Sequence, residues 1–386
     1  MRIIGEGVKE YTLDPKKKLI LLGVTNWATV RNNHLLLVNN EKKLKYIEVL
    51  DETNERSKFA KKDSCLQPNH THFILVDNAQ LNTFGGEIKL RNEIEKEISN
   101  YDHTEQNLFH TKKSPYSTSY YTRKEISHKK IDIVLIVIGG GPNTFEMILE
   151  AVKNQSPVLF IEGSGRCADV FADVYKVINS KNNETQNDDT ESCIEPTGYF
   201  DDELKTEILK KVDATIKTLS NKTEEEKKAL AKKILEQIIM TFNYFDLLSV
   251  YTQDKNSDYS TDEIDEAILF AIFKSQKHSQ KDKLSQETKE AQLRLAFAWD
   301  RYDMAKKFIL NDSQIWETNQ LHEFMYMAIK QNKLDFVKLF MEQGFVLSKF
   351  LTNRCLLKLY NDVSILVYFK MLKIKICTFF SLWTPP

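Results

Sequence analysis

The chain is marked first by what it lacks. Neither sign of charge dominates, since Lys+Arg 54 against Asp+Glu 55 give a net charge of -1. No global field therefore recruits a nucleic acid. The five cysteines (Cys65, Cys167, Cys193, Cys355, Cys377) are scattered, odd in number and never spaced C-x-x-C. That pattern points to a reducing, cytosolic setting rather than a disulfide framework. The opening MRIIGEGVKEYTLD has no apolar stretch of the signal-peptide kind. No run reaches the roughly 18–20 consecutive apolar residues that a spanning helix needs. The nearest approach, VSILVYFKMLKIKICTFFSLWTPP at the end, is interrupted by Lys370, Lys373 and Lys375. A charge at mid-span costs about 2.5–3.5 kcal/mol on insertion scales, which argues against a spanning helix there. Also missing are G-x-G-x-x-G, G-x-x-x-x-G-K-[ST] and G-x-S-x-G, the dinucleotide, P-loop and hydrolase-elbow signatures. His70 and His72 bracket a strand start without a third ligand at metal spacing, so no metal is expected.

What is present divides in two. At 386 residues the chain is long enough for two or three domains of about 100–200 residues each. The first part alternates short Val- and Ile-rich runs with helical patterns. The runs are LILLGV (19–24), HFILVD (72–77), DIVLIVI (132–138) and PVLFIE (157–162). Continuous hydrophobicity of this length predicts strands buried on both faces, as in a parallel sheet. Helical spacing is expected at 86–98, with Ile88, Ile94 and Ile98 on one face, and again at 143–154 and 167–178. This is the order of an α/β Rossmann-like domain, assigned to residues 1–250. A stretch at 180–203 carries eight acidic residues and one lysine and reads as a solvated loop. Two helices follow it. One has Leu204, Ile208, Val212, Ile216 and Leu219 on one face; the other starts at a Thr223/Glu226 capping box and presents Ile234, Ile238, Phe242 and Phe245.

From about residue 260 the pattern is helical throughout. AFAWDRYDMAKKFIL (296–310) overlays AIKQNKLDFVKLFME (328–342) at an offset of 32, matching Ala296/Ala328, Asp303/Asp335, Lys306/Lys338 and Phe308/Phe340. The period is near that of ankyrin helix pairs, and Gly344 fits the residue after a helix end. Residues 260–360 are therefore read as an all-α, ankyrin-like helical repeat domain, and 361–386 as an atypical tail. Trp299, Phe308, Phe324 and Phe340 sit at helical spacing and are expected in the core.

Two loops carry the chemistry. Gly139, Gly140 and Gly141 follow DIVLIVI and precede a helix that contains Thr144. Backbone N–H groups at such a turn favour a phosphate, although a plain reversal of the chain explains three glycines equally well. One unit later PVLFIEGSGRCADV repeats strand, glycine loop and helix. In a parallel sheet both loops open on the same edge. Gly163, Ser164, Gly165 and Arg166 are then expected to face Gly139–Thr144 across one crevice, with the Arg166 fork suited to a pyrophosphate. No nucleophile and base are paired, so no catalytic residue is assigned.

Several segments together resemble a known family. HTHFILVDNAQLNTFGGEIKLRNEIEKEIS, IDIVLIVIGGGPNTFEMILEAVKNQSPVLFIEGSGRCADV, AFAWDRYDMAKKFIL and FVKLFMEQGFVLSKFLT are similar to the cytosolic N-terminal region of melastatin-type transient receptor potential (TRPM) cation channels. The resemblance implies a Rossmann-like SLOG domain leading into helical repeats, in a calcium-permeable channel that is tetrameric through homotypic subunits when complete. It implies an ADP-ribose-like nucleotide as a ligand in some members, with contacts that fall here on Phe84, Arg91 and Arg166. Phe84 replaces a tyrosine and loses its hydroxyl. The chain begins inside a helix that such regions place after a first strand, and it ends before any pore helices, so a fragment is expected. SLOG relatives that hydrolyse nucleoside monophosphates carry P-G-G-x-G-T-x-x-E. Here Met147 stands at the glutamate, Glu146 is one residue off, or about 100° around a helix, and Asn143 replaces a glycine. Binding is therefore expected over hydrolysis, with a free-standing nucleotide sensor as a further alternative.

Overall fold

The computed structural model describes residues 4, 7–8, 19–30, 33–36, 66–79, 85–100, 131–185, 198, 200–217, 223–252, 263–278, 285–310, 316 and 318–362. It separates into two compact units, Met1–Phe245 and Asp246–Pro386. Of the N-terminal segment only Ile4, Gly7 and Val8 are described, all three helical.

The first unit is built from β1 (Leu22–Asn26), β2 (His72–Val76), α1 (Ile88–Asn100), β3 (Leu135–Val137), α2 (Pro142–Lys153), β4 (Val158–Ile161), α3 (Arg166–Thr185), α4 (Asp202–Ile216) and α5 (Glu224–Phe242). Strands β1 and β2 pair in parallel, Leu22 opposite His72 through Asn26 opposite Val76. Strands β3 and β4 do the same, Leu135 opposite Val158. Parallel neighbours need a crossover connection, and α2 supplies it between β3 and β4. The α/β character expected from the alternating pattern is thus realised.

Burial differs from the expectation in β2, where no residue is fully buried, and at two further elements. β3 is three residues long, and Ile136 and Ile138 are 38% and 42% exposed. It buries one face, not both, because Leu135 and Val137 alternate inward while Ile136 points away. In α1 the buried positions are Ile88 and Asn92, one turn apart, whereas Ile98 is exposed. A polar residue takes the inward position there, which hydrophobic spacing alone does not reveal.

The core gathers around Phe171. Its ring stacks on Phe160 with centroids 4.7 Å apart and touches Phe145 at 5.7 Å and Phe242 at 6.0 Å. Strand β4 and helices α2, α3 and α5 therefore share one aromatic centre. Leu204, Ile208, Val212 and Ile216 bury the inner face of α4; Leu219 lies outside the described residues. The capping box at α5 is formed: Glu226 N–H donates to Thr223 Oγ1 at 3.3 Å, and Thr223 N–H to Glu226 Oε2 at 2.9 Å. The acidic stretch is helical at both ends, where α3 runs to Thr185 and α4 starts at Asp202; residues 186–197 lie outside the described residues.

The second unit holds β5 (Leu248–Tyr251), α6 (Ile264–His278), α7 (Gln286–Ala298), a turn of helix at Tyr302–Met304 that passes into a π-helical turn at Ala305–Ile309, then α8 (Thr318–Lys330), α9 (Leu334–Glu342), α10 (Leu347–Phe350) and α11 (Asn353–Asp362). The offset of 32 is visible in the backbone. Asp300 and Asn332 take φ of 60° and 58°. Arg301 N–H donates to the Ala296 carbonyl, and Lys333 N–H to the Ala328 carbonyl, each at 2.9 Å. Both hairpins thus close their first helix with one left-handed residue and the same i→i−5 hydrogen bond. The cation that ends each turn reaches backwards. Arg301 pairs with Glu263, with Asp265 at 3.2 Å and with Glu266 at 3.4 Å, as well as with its neighbour Asp303. Lys333 donates to the Phe297 carbonyl, pairs with Asp300 at 3.3 Å and lies 4.4 Å from the Phe297 ring centre.

Two sequence expectations are corrected here. Trp299 is 40% exposed and not in the core, because it sits in the turn rather than on the inner helix face. The match of Phe308 with Phe340 is also displaced. Phe336 and Phe340 are buried four apart in α9, whereas Met304 and Ile309 are buried five apart. The π turn inserts one residue, so Ile309 takes the place matching Phe340.

Candidate functional site

The carboxyl ends of β3 and β4 lead straight into the two glycine loops. Gly139, Gly140, Gly163 and Gly165 all take left-handed φ, from +64° to +97°. The requirement for glycine is sharpest at Gly140, where φ is +97° and a Cβ would lie 2.9 Å from the Thr144 side chain. Thr144 in turn holds the turn at the start of α2. Its Oγ1 accepts from Gly141 N–H at 3.0 Å and its own N–H donates to the Gly141 carbonyl at 2.9 Å.

The loops do not face each other across a gap. Ser164 Oγ accepts from Gly139 N–H at 2.8 Å and donates to the Ile161 carbonyl at 2.6 Å. Ala168 N–H donates to the Gly139 carbonyl at 2.9 Å, and Cys167 N–H to the Gly140 carbonyl at 3.5 Å. On the other side of the loop, Gly163 N–H donates to Asp169 Oδ1 at 2.8 Å. The expected crevice is instead one continuous ledge. The reason is topological: β3 and β4 are direct hydrogen-bonded neighbours, about 4.8 Å apart, and a crevice opens only where the strand order reverses.

This stitching sorts the donors. The N–H groups of Gly139, Gly141, Gly163, Cys167 and Ala168 are occupied internally. Those of Gly140, Asn143, Gly165 and Arg166 have no protein partner among the described residues. Arg166 is exposed at the first turn of α3 with a left-handed φ of 54°, and its guanidinium forms no ion pair among the described residues. Cys167 beside it is fully buried, and burial pushes its thiol well up, so it presents no thiolate at the ledge.

Arg91 stands differently. From α1 its Nε donates to Glu95 Oε1 at 2.7 Å, and its Nη1 reaches Met147 Sδ at 3.3 Å. Glu146 turns the other way, toward Lys233 of α5 at 3.5 Å. Glu146 therefore does not stand in for Met147, and the carboxylate held at Arg91 is Glu95. Phe84 lies outside the described residues. Next to it, Gly86 is pinned by an amide cluster that the sequence reading did not pick out. A Cβ on Gly86 would lie 2.2 Å from Asn78 Nδ2, and one on Gly85 would lie 2.8 Å from Asn143 Nδ2. Asn26, 1% exposed, donates to Asn78 Oδ1 at 3.3 Å and accepts from Ala28 N–H at 3.0 Å. The available signal was an Asn just past each of two paired runs, VTN and VDN. Among the described residues no three His, Cys, Asp or Glu side chains gather as metal ligands.

The same residues carry the comparison with known proteins. A family model described as SLOG in TRPM matches residues 1–215, which include every ledge residue. The chain belongs to the SLOG-in-TRPM family. A second model, the TRPM2-like domain, matches residues 308–377. Transient receptor potential cation channel subfamily M member 2 of Rattus norvegicus is 31% identical over 379 residues, 97% of this chain and 22% of the relative. The subfamily M member-like 2 protein of Nematostella vectensis is 29% identical over 365 residues, 94% of this chain and 20% of the relative. The trpm channel of Drosophila melanogaster is 30% identical over 347 residues, 89% of this chain and 14% of the relative. The TRPM-type chain thus spans between a seventh and a quarter of the length of these relatives. Among its described residues no helix is long and apolar enough to cross a membrane.

Proposed function

We propose that this chain is a cytosolic ligand-sensing and assembly region of a TRPM-type, calcium-permeable cation channel of the plasma membrane, and that the ledge from Gly139 to Arg166 takes an ADP-ribose-like nucleotide. The observation that carries the binding half is that the Arg166 guanidinium has no ion pair, and the N–H groups of Gly140, Gly165 and Arg166 itself no partner, among the described residues. A planar cation next to backbone donors at a helix start suits a pyrophosphate. Phe84 would offer its ring face to the adenine. Arg91 is a weaker contact, because Glu95 and Met147 already hold it. The second unit is read as an ankyrin-like stack that contributes to homotypic assembly, tetrameric in the complete channel.

Hydrolysis has less support. The position opposite Arg91 is Met147, and Glu146 is directed to α5, so neither of these two positions supplies the general acid–base help worth about 10²–10⁴-fold. Isothermal titration of the chain with ADP-ribose tests the reading. Binding weakened about tenfold or more by Arg166→Ala is expected, the loss of one charge-assisted contact. Absence of heat with the unaltered protein sinks the nucleotide reading, and release of ribose 5-phosphate from AMP would replace it with an enzyme.

A further inference from the structure

Exposed apolar side chains gathered in one place mark an interaction surface, and the turns of the two helical hairpins gather four. Trp299 and Tyr302 flank Arg301, Leu334 follows Lys333, and Ile264 starts α6; all four are between 38% and 44% exposed. Ion pairs bring them together. Arg301 holds Glu263 and Asp265 on either side of Ile264, and Lys333 reaches Asp300 beside Trp299. Neither the Trp299 ring nor the Tyr302 ring makes a ring contact among the described residues. The charge around them is lopsided. Arg301 meets four carboxylates, Glu263, Asp265, Glu266 and Asp303, and Lys333 meets a fifth, Asp300. Both cations are largely enclosed, whereas Glu263 and Asp300 remain well exposed. The surface is therefore apolar and aromatic at its centre and negative at its rim.

Such a surface fits a segment that is apolar and positive, with no acidic residue of its own. The chain contains one. After Asp362 the only charged side chains are Lys370, Lys373 and Lys375, set among Val, Ile, Leu and Phe; these residues lie outside the described ones. The course of α11 brings the chain to the hairpin turns. Phe350, just before α11, packs 5.3 Å from His322 near the start of α8, and Lys358 lies over Tyr326, one turn further along α8. α11 therefore climbs beside α8 toward Lys330, the end from which the Asn332 turn leaves. Lys370 is eight residues beyond Asp362, a reach of about 26–29 Å when extended, against helix spacings of about 8–10 Å. We infer that residues 366–376 dock on the hairpin turns, the lysines against Glu263 and Asp300 and the apolar side chains on Ile264, Trp299, Tyr302 and Leu334. The contact lies within the second unit and does not depend on a ligand at the ledge.

Trp299 reports on this contact in the full chain, its emission isolated by difference from the Trp299→Phe protein. Acrylamide should quench it weakly in the unaltered protein. In the triple variant Lys370→Glu, Lys373→Glu, Lys375→Glu the quenching constant is expected to rise about twofold or more, because like charges brought together repel the segment from the surface. Adding Glu263→Lys and Asp300→Lys to that variant should restore the protection, which a general loosening of the fold would not do. The triple variant leaves the hairpins untouched, so its comparison decides even where the charge swap fails to fold. Equal quenching of Trp299 in the unaltered protein and the triple variant overturns the docking. So does a charge swap that restores nothing while the melting temperature stays unchanged. Protection that is lost on dilution assigns the lysines to a second copy and overturns the contact within one chain.

Discussion

Lys274 shows how one buried residue sets a measurable property. On α6 its ammonium is taken out of water and donates to the Leu248 carbonyl at 2.8 Å. Burial pushes its pKa down from 10.5 to about 8, with Asp246 acting against the shift. Between those two values the unfolded chain binds the proton and the folded chain does not. Stability must then rise with pH across that window, and the contribution is flat below about 8, where both states are charged. Urea midpoints measured at several pH values from 7.5 upward should climb through the window, and the Lys274→Met protein should lose that part of the slope. An identical slope in both proteins would show that the buried amine is not its source. At the ledge the same scale explains why Ser164 matters beyond ligand contact: one hydroxyl joins the ends of two strands through Gly139 and Ile161.

Elements were legible where residue types recur at a fixed spacing. The runs ending in glycine loops, the capping box at Thr223 and the hairpin offset of 32 all rest on side-chain type at regular spacing, and each has its counterpart in the structure. What escaped was polar or geometric. Asn92 takes an inward position in α1, the amides of Asn26 and Asn78 meet across 52 residues of sequence, and the fusion of two loops into a ledge follows from strand order. The π turn at Ala305–Ile309 belongs to this class, because an inserted residue leaves local composition unchanged. It also makes a prediction. Deleting Lys307, an exposed residue in that turn that lies 5.1 Å from the Phe308 ring centre, restores four-residue spacing between Met304 and Ile309. The cost should stay within about 1 kcal/mol. Deleting Lys338 from the regular α9 instead turns Leu339 and Phe340 out of the core and should cost at least about 2–5 kcal/mol, as a lost buried side chain does. Denaturant titration compares the two, and equal penalties would show that the π turn is needed as it stands.

At the scale of the whole chain, the ledge and the helical hairpins lie in separate compact units. A ligand bound only to the folded first unit stabilises it by mass action, about 2.7 kcal/mol at a hundredfold excess over Kd. Hydrogen exchange with ADP-ribose present should therefore slow in residues 131–185, while the hairpins at 286–342 exchange as before. Unchanged exchange throughout 131–185 at saturating ligand would move the binding site elsewhere.

The stitching of the ledge has a consequence for how such a domain diversifies. Its shape is written mainly in main-chain atoms, with Ser164, Thr144 and Asp169 as the few side chains that complete it. In the proposed reading its chemistry falls to other positions: Asn143, Met147 and Arg166. Substitutions at these three would then alter recognition more than they alter the main-chain scaffold. The domain can change its vocabulary while keeping its grammar.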